Sequence, residues 1–510
     1  MPSNKKVNTL HPMLVDKAEQ IRRSRDCYRG TDAVKACEYA GSTGIDEVYL
    51  PKLSGQDQSE YRTYKLRALF YAAMARTVTA LVGAIDRKPP EMKGADQLGD
   101  FNEDVTGTGV SLVEFLKELE TEIMISGRVI VCIDRMSSEN NRPYLVWYKN
   151  EDCINWFTEE YSEFDKQLSA VVFKEMYYKP CDDNPYEQVA CNRYREFVKD
   201  AQGNVVVNIW TPETVHSKGA ANSEAKYEIT QSYPVHNRGK ALGFLPVVPI
   251  VSEGSPLEIP KPPLIDLVDV NLSHYRNSAD YEHGLHWTAL PTPWFSGLND
   301  RGTQISLGSG AAIALPDPSS KAGFLEFSGV GLKAILDSMK HKEQLMSSLG
   351  ARMLAGGMDQ STSAEVAKIN VSGEVAALRN VAKSMSRGIT RLLRMVAYWE
   401  GKPVEDISVH LNEDYIDSTL PAADVTALVS AYQAGAMSLD SLLWNLDQGE
   451  RLPMSRTVEE EISLIEGDMD KEASFALGFE EQGIAFDGNQ FSSTAGIDQP
   501  EDDGNNSGGV

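Results

Sequence analysis

The chain has 510 residues and a formal net charge of −25, with hydrophobic residues at the 42% usual for a globular protein. That length exceeds what one hydrophobic core sustains, so two to four structural regions are expected, and no apolar run approaches the roughly 18 residues that cross a bilayer. The charge is uneven: residues 403–510 hold 23 acidic and 3 basic side chains, which disfavours tight duplex binding by counterion release there. Six cysteines without a Cys-x-x-Cys pair, in a chain too large to need staples, are expected to be reduced thiols. The opening MPSNKKVNTLHPML has two lysines but no apolar segment behind them, so no secretory signal and a cytoplasmic origin are expected.

In chain order, Leu10 to Tyr28 reads as a helix and Gly41 to Gly55 as a loop. Asp57 and Glu60 form a capping box, Arg87 and Lys88 fill a last turn, and Pro89-Pro90 forbid continuation. Between them Tyr61, Tyr64, Ala68, Tyr71, Met74, Val78, Leu81 and Ile85 recur every three or four residues, which predicts one unbroken helix. A second capping box, Ser111 with Glu114, opens a helix whose apolar stripe is Leu112, Phe115, Leu116, Leu119, Ile123 and Met124, closed by Gly127. β-Rich runs follow at 129–133 and 144–148, read as a long-looped hairpin, then at 168–178, 193–199, 205–210, 227–230 and 247–251. Asp200 to Gly203 is a turn. The block is dense in Tyr, Trp and Phe, which suits half-buried pleated surfaces.

After the proline-rich 256–263, Leu264, Leu267, Val268, Asn271, Leu272 and Tyr275 share one helical face. Trp287 to Phe327 reads as a compact β insertion, with strand-like runs at 311–315 and 323–327. Gly331 to Ala355 is a helix of about 36 Å. Gly356 to Ser361 breaks it, and Thr362 to Glu365 caps a long helix reaching Trp399, which Gly373 and Gly388 have the freedom to bend. A strand at 407–411, two short helices within 421–446 and another at 458–465 follow. Beyond Phe486 the Gly, Asn, Ser and Asp composition predicts disorder.

Candidate chemistry is sparse. No phosphate-cradling Gly-x-x-x-x-Gly-Lys segment and no Gly-x-Ser-x-Gly elbow is present. His283 and His286 supply at most two metal ligands, and without a carboxylate partner they read as imidazoles at a helix C-terminus. Asp182-Asp183 and Asp502-Asp503 lie in loops without an apolar pocket and read as solvated. No catalytic residue, metal or cofactor is expected, and the chain does not read as an enzyme. Arg379, Lys383, Arg387, Arg391 and Arg394 form a basic row along the long helix, which can face DNA or pair with carboxylates; the acidic segment that follows favours pairing within or between subunits. Lys333 and Lys340 form a smaller row one heptad long.

The wording Tyr61-x-x-Tyr64-x-x-Arg67-Ala68-x-Phe70-Tyr71, then Arg76-Thr77-Val78, Leu81-Val82-Gly83 and Arg87-Lys88-Pro89-Pro90, resembles the portal proteins of tailed bacteriophages. The resemblance continues in order through Ser126-Gly127-Arg128 with a strand ending in Asp134, Arg142-Pro143-Tyr144, Ile154-Asn155-Trp156, Leu245 to Pro249, and Pro263 to Leu267 running on to Asn271 and Tyr275. It covers residues 57–415.

The resemblance implies an α+β portal-like fold: a mixed α/β wing over 1–260, a first stem helix over 261–286 and a small β-containing clip over 287–327. A second stem helix over 328–355, a tunnel loop at 356–361, a long wing helix and strand over 362–417, an acidic helical crown over 418–485 and a disordered tail over 486–510 would follow. It also implies a homo-oligomeric ring, usually of twelve, at one capsid vertex of the virion, assembled in the host cytoplasm and making no membrane contact. Double-stranded DNA would pass through its axis without sequence reading, with a terminase motor, a head-tail adaptor, and capsid and scaffold proteins as partners. The residues implied are Lys333 and Lys340 facing the channel; Gly356, Gly357, Met358, Asp359, Gln360 and Ser361 in the tunnel loop; and Trp294, Phe295, Asp300 and Arg301 on the clip docking surface. The alternative kept open is a non-annular minor capsid or head-tail protein that docks partners through its aromatic sheet and acidic tail.

Overall fold

The computed structural model describes residues 6–36, 49–135, 142–162, 165–180, 186–212, 226–237, 240–288, 292–297, 319–325, 330–351, 364–413, 415, 420–449, 451–453 and 458–467. The chain divides into two compact units, Met1–Tyr415 and Ile416–Val510, and has a mixed α and β architecture.

In the first unit α1 (Pro12–Arg29) starts at His11, whose ring accepts the Met13 N–H, and α2 (Thr31–Ala36) follows. The capping box at Asp57 and Glu60 forms as expected, but the predicted single helix is two, α3 (Gln58–Arg67) and α4 (Ala73–Ile85). Tertiary contacts override the local period. Ala68 turns extended, Ser278 Oγ accepts the freed Leu69 N–H at 2.9 Å, and Phe70 meets the edge of the buried Tyr275 ring at 6.0 Å. Tyr71, placed by period on the buried stripe, is exposed in consequence.

The strand β1 (Glu91–Lys93) precedes α5 (Leu112–Ser126), which has both ends foreseen: the Ser111–Glu114 box and a left-handed Gly127. Arg25 of α1 ties to α5 through Glu122, Nη2 to Oε1 at 2.6 Å, and also pairs with Glu151.

The aromatic-rich block is two antiparallel sheets. One has order β11-β2-β3, from β2 (Arg128–Arg135), β3 (Pro143–Lys149) and β11 (Val247–Val251). The other is a meander of β4 (Cys153–Ser162), β5 (Asp165–Pro180), β6 (Gln188–Lys199), β7 (Val205–Pro212) and β8 (Tyr227–Pro234). The sequence reading missed β4, whose pairing with β5 shifts register three times and so lacks clean alternation. It also missed β1, three residues long, which pairs with β14 (Ser408–His410) from more than 300 residues away. The short β9 (His236–Asn237) and β10 (Lys240–Ala241) pair with each other.

Central β2 explains the continuous run Val129-Ile130-Val131-Cys132-Ile133. Val129, Val131 and Ile133 enter the large helical core, while Ile130 and Cys132 enter a second core with Phe173, Phe197 and Val207 of the meander. A polar bridge joins the sheets: Glu175 on β5 accepts Tyr148 Oη at 2.6 Å and Arg195 Nε at 2.8 Å, and Arg195 also pairs with Asp134 at the end of β2. Two of the motifs quoted above meet on this frame. The buried Arg128 guanidinium lies 4.4 Å from the Trp156 ring centre, and His11 stacks on the same ring at 3.8 Å.

The helices α6 (Ile265–Thr288), α7 (Val330–Ala351) and α8 (Ala364–Glu400) complete the unit, with the hairpin of β12 (Thr292–Ser296) and β13 (Lys321–Leu325) between α6 and α7. Expected strand 311–315 lies outside the described residues, as do the break at 356–361, the capping residues Thr362 and Ser363, and the tail beyond 486. Gly388, read as a bend point, sits in continuous helix, and its role is close approach: a Cβ there would lie 2.7 Å from Cγ1 of the buried Ile250 on β11. Described cysteines Cys27, Cys132, Cys153 and Cys191 are unpaired and buried, and no described helix is long and apolar enough to cross a membrane.

In the second unit α9 (Ala422–Gln433) begins after Pro421 and α10 (Leu439–Gln448) at Ser438, with a further helix over 458–467. Leu420 N–H bonds the Gly449 carbonyl at 3.1 Å, closing the α9–α10 pair.

Two outcomes follow. Gly388→Ala, which in an ordinary helix interior gains about 1 kcal/mol, should instead lose about 1–3 kcal/mol by overpacking stiff, β-branched Ile250; denaturant midpoints check the sign. Buried Glu120 on α5 has its carboxyl pushed up to about 9, first by burial and then by Asp86. The folded state therefore holds a proton that the unfolded chain releases from about pH 4.5 upward, so this group's contribution falls as pH rises from about 4.5 to about 9. Glu120→Gln should raise the melting temperature at pH 8, leave it nearly unchanged at pH 4, and flatten the profile between.

Candidate functional site

Helices α6 and α7 form an antiparallel pair. His274 Nε2 and Glu343 Oε1 are 3.1 Å apart, Asn277 Nδ2 donates to Ser338 Oγ at 3.1 Å, and Lys342 Nζ donates to the Ser273 carbonyl at 3.3 Å. Numbers fall on one helix as they rise on the other. At about 1.5 Å per residue the two helices extend for roughly 36 and 33 Å. The near ends are anchored: Leu267, Val268, Leu272, Tyr275 and Met346 belong to the large core. Toward the hairpin burial declines, and Glu282 to Trp287 of α6 are exposed or half-buried.

Lys333 and Lys340 are both exposed on α7, while Ile335, Leu336 and Met339 between them are half-buried. Their seven-residue spacing brings them to one side of the helix, about 10 Å apart along its axis. On the hairpin Trp294 pairs with Gly323 and is exposed, Phe295 is half-buried, and Phe324 is exposed. Asp300, Arg301 and all six residues from Gly356 to Ser361 lie outside the described residues. The histidines at this end are structurally occupied. His283 Nε2 accepts the Trp287 indole N–H at 3.0 Å, and burial, then Arg67 and His286, hold the imidazole below its ordinary value, consistent with a neutral acceptor. No cluster of three metal-ligating side chains occurs among the described residues.

Lys383, Arg387, Arg391 and Arg394 of the basic row on α8 line an open groove of about 1100 Å³, together with Phe244, Glu253, Tyr398, Ser408 and His410. The expected pairing is present for part of the row. Lys383 Nζ lies 3.4 Å from Glu413 Oε2, Arg379 Nε donates to the Glu413 carbonyl at 3.2 Å, and Arg394 Nε donates to the Ile407 carbonyl at 3.0 Å. Arg387 and Arg391 are exposed and have no hydrogen-bond or ion-pair partner among the described residues. The opposite wall was not legible in the sequence: Phe244 and Glu253 flank β11, one before and one after it, and only the packing of α8 on that strand brings them to the row. The groove therefore offers electrostatic and aromatic recognition.

Residues 263–400, from just before α6 to the end of α8, match the model of a domain of unknown function, DUF4055. No curated protein matches the chain. Among solved structures the chain is similar to one in the neck of an empty GTA particle computed with C6 symmetry, at 11% identity over 75% of this chain and 91% of that one, TM-score 0.37. It is similar also to a chain in the neck of a native GTA particle computed with C12 symmetry, at 12% identity over 72% and 86%, TM-score 0.36. A third is in the virion of a native gene transfer agent particle, at 12% identity over 76% and 91%, TM-score 0.35.

Proposed function

We propose that this chain is the subunit of a portal-type ring, a head-tail connector at one vertex of a phage-like capsid through which double-stranded DNA enters and leaves. The observation that carries the reading is the antiparallel α6–α7 pair, rooted in a large core at one end, bearing a small hairpin at the other, and followed directly by the long α8. The order-preserving motifs from Tyr61 to Tyr275 support it, since they are resemblances to portal proteins borne by residues that fold onto one another here: Arg128 on Trp156, and Phe70 on Tyr275.

In this reading α6 and α7 are the stem, β12 and β13 belong to the clip that docks the motor and the adaptor, the sheets and α8 form the wing, and the second unit is the crown. Repeated around an axis, exposed Lys333 and Lys340 place rings of positive charge along the conduit. Two lysines per subunit within a chain of net charge −25 attract phosphates weakly, so DNA is guided without being held. The ring makes and breaks no covalent bonds; its work is geometric. Closure from identical copies follows from a head-to-tail contact whose rotation closes.

Reversing both charges, Lys333→Glu with Lys340→Glu, tests the conduit. Rings should still form, while packaged DNA per particle falls several-fold; DNA content equal to wild type would remove these lysines, and with them the α7 wall, from the path.

A further inference from the structure

The groove on α8 holds more cations than its lining carboxylates engage. Its floor is a row of four exposed cations, Lys383, Arg387, Arg391 and Arg394, and two of the four are already engaged, Lys383 by Glu413 and Arg394 by the Ile407 carbonyl. Arg387 and Arg391 have no such partner among the described residues and stand one helical turn apart, about 6 Å along the axis. Guanidinium forks at that spacing suit carboxylates two residues apart on an extended strand, which lie about 6.6 Å apart on one face. Glu253 and Glu413 among the lining limit the negative charge the groove accepts, which favours a ligand with two carboxylates over a polyphosphate backbone. Exposed Tyr398, its ring 5.8 Å from that of Phe244, adds an apolar end to the groove.

The chain itself supplies such a peptide. From Glu472 to Val510 there are eight acidic residues and no lysine or arginine, and the densest run is Asp498-Gln499-Pro500-Glu501-Asp502-Asp503. The proline at 500 belongs to a residue type that disfavours the helical region for the residue before it, which suits an extended peptide. We propose that the groove seats this acidic C-terminal segment from a second copy of the chain, with Glu501 and Asp503 on Arg387 and Arg391. The proposal takes from the ring reading only the presence of neighbouring copies. It makes subunit association dependent on salt, because the pairs are formed at an open, hydrated groove.

The test titrates a labelled peptide of residues 494–510 into the full chain, beside separate sedimentation of the chain alone. Expected are saturable binding that weakens about tenfold or more between 50 and 300 mM salt, a loss of about tenfold or more in Arg387→Glu/Arg391→Glu, and recovery when that variant meets the peptide carrying Glu501→Lys and Asp503→Lys. Folding of the variant is checked by its melting temperature, and the recovery arm itself requires a folded groove. Absent peptide binding, binding indifferent to the two arginines, or failure of the exchanged charges to recover it overturns the proposal; so does duplex DNA binding through the same arginines in place of the peptide, which assigns the groove to nucleic acid. Rings without peptide binding sink this proposal and leave the ring reading standing, whereas peptide binding by a chain that associates in a salt-sensitive way into dimers or open oligomers but never closes into a ring does the reverse; a monomer at every concentration overturns both.

Discussion

Burial of β2 on both faces is the constraint on which the first unit depends. A strand with one wet face can slip or fray at modest cost, but a one-residue slip of β2 would send Val129, Val131 and Ile133 into the meander's core and Ile130 and Cys132 into the helical one. Its partner β11 is fixed by that register, from Val247 opposite Cys132 to Val251 opposite Arg128. Helix α8 is then fixed by β11, because Gly388 lets it approach Ile250 more closely than any side chain would allow. Helix α6 follows β11 after a short proline-rich passage. Strand, long helix and paired helices are thus positioned in sequence from one apolar run.

That chain of dependence explains what could be read from the residues alone. Where an element's ends carry their own chemistry, as at Ser111–Glu114 and Gly127, the expectation and the structure agree closely. Where a distant contact decides, local pattern misleads: nothing within Tyr61–Ile85 reveals that Ser278 and Tyr275, some 200 residues on, draw Leu69 and Phe70 out of the helix. β4 escaped notice because its register shifts erase alternation, and β1 because three residues carry no period. For the candidate site the cationic row was legible as an i, i+4 pattern, and its partial pairing followed from the acidic residues downstream. Its enclosure by Phe244 and Glu253 was not legible, since that depends on which strand α8 packs against.

The electrostatic arrangement separates two tasks. On α7 two exposed lysines stand along one helix with the exposed Asp337 between them, an arrangement suited to weak and non-specific attraction. On α8 cations are concentrated in a walled groove with carboxylates already among them, an arrangement suited to a shaped anionic partner. The same charge type therefore stands on an open helix side in one place and in a walled groove in the other, and the difference lies in concavity and in neighbouring carboxylates. Buried ionic groups elsewhere serve registration: Glu175 with Arg195 and Tyr148 locks the two sheets, and Arg25 between Glu122 and Glu151 locks α1 to α5.

The central claim is that identical copies close around an axis with the α6–α7 pairs forming the wall of an open channel. Electron microscopy of the purified chain tests it most directly. Annular particles are predicted, with a central opening wide enough for duplex DNA and helical density of about 35 Å lining it; a monomer at every concentration, or a closed assembly whose inner surface is built from the β-sheets, would contradict it.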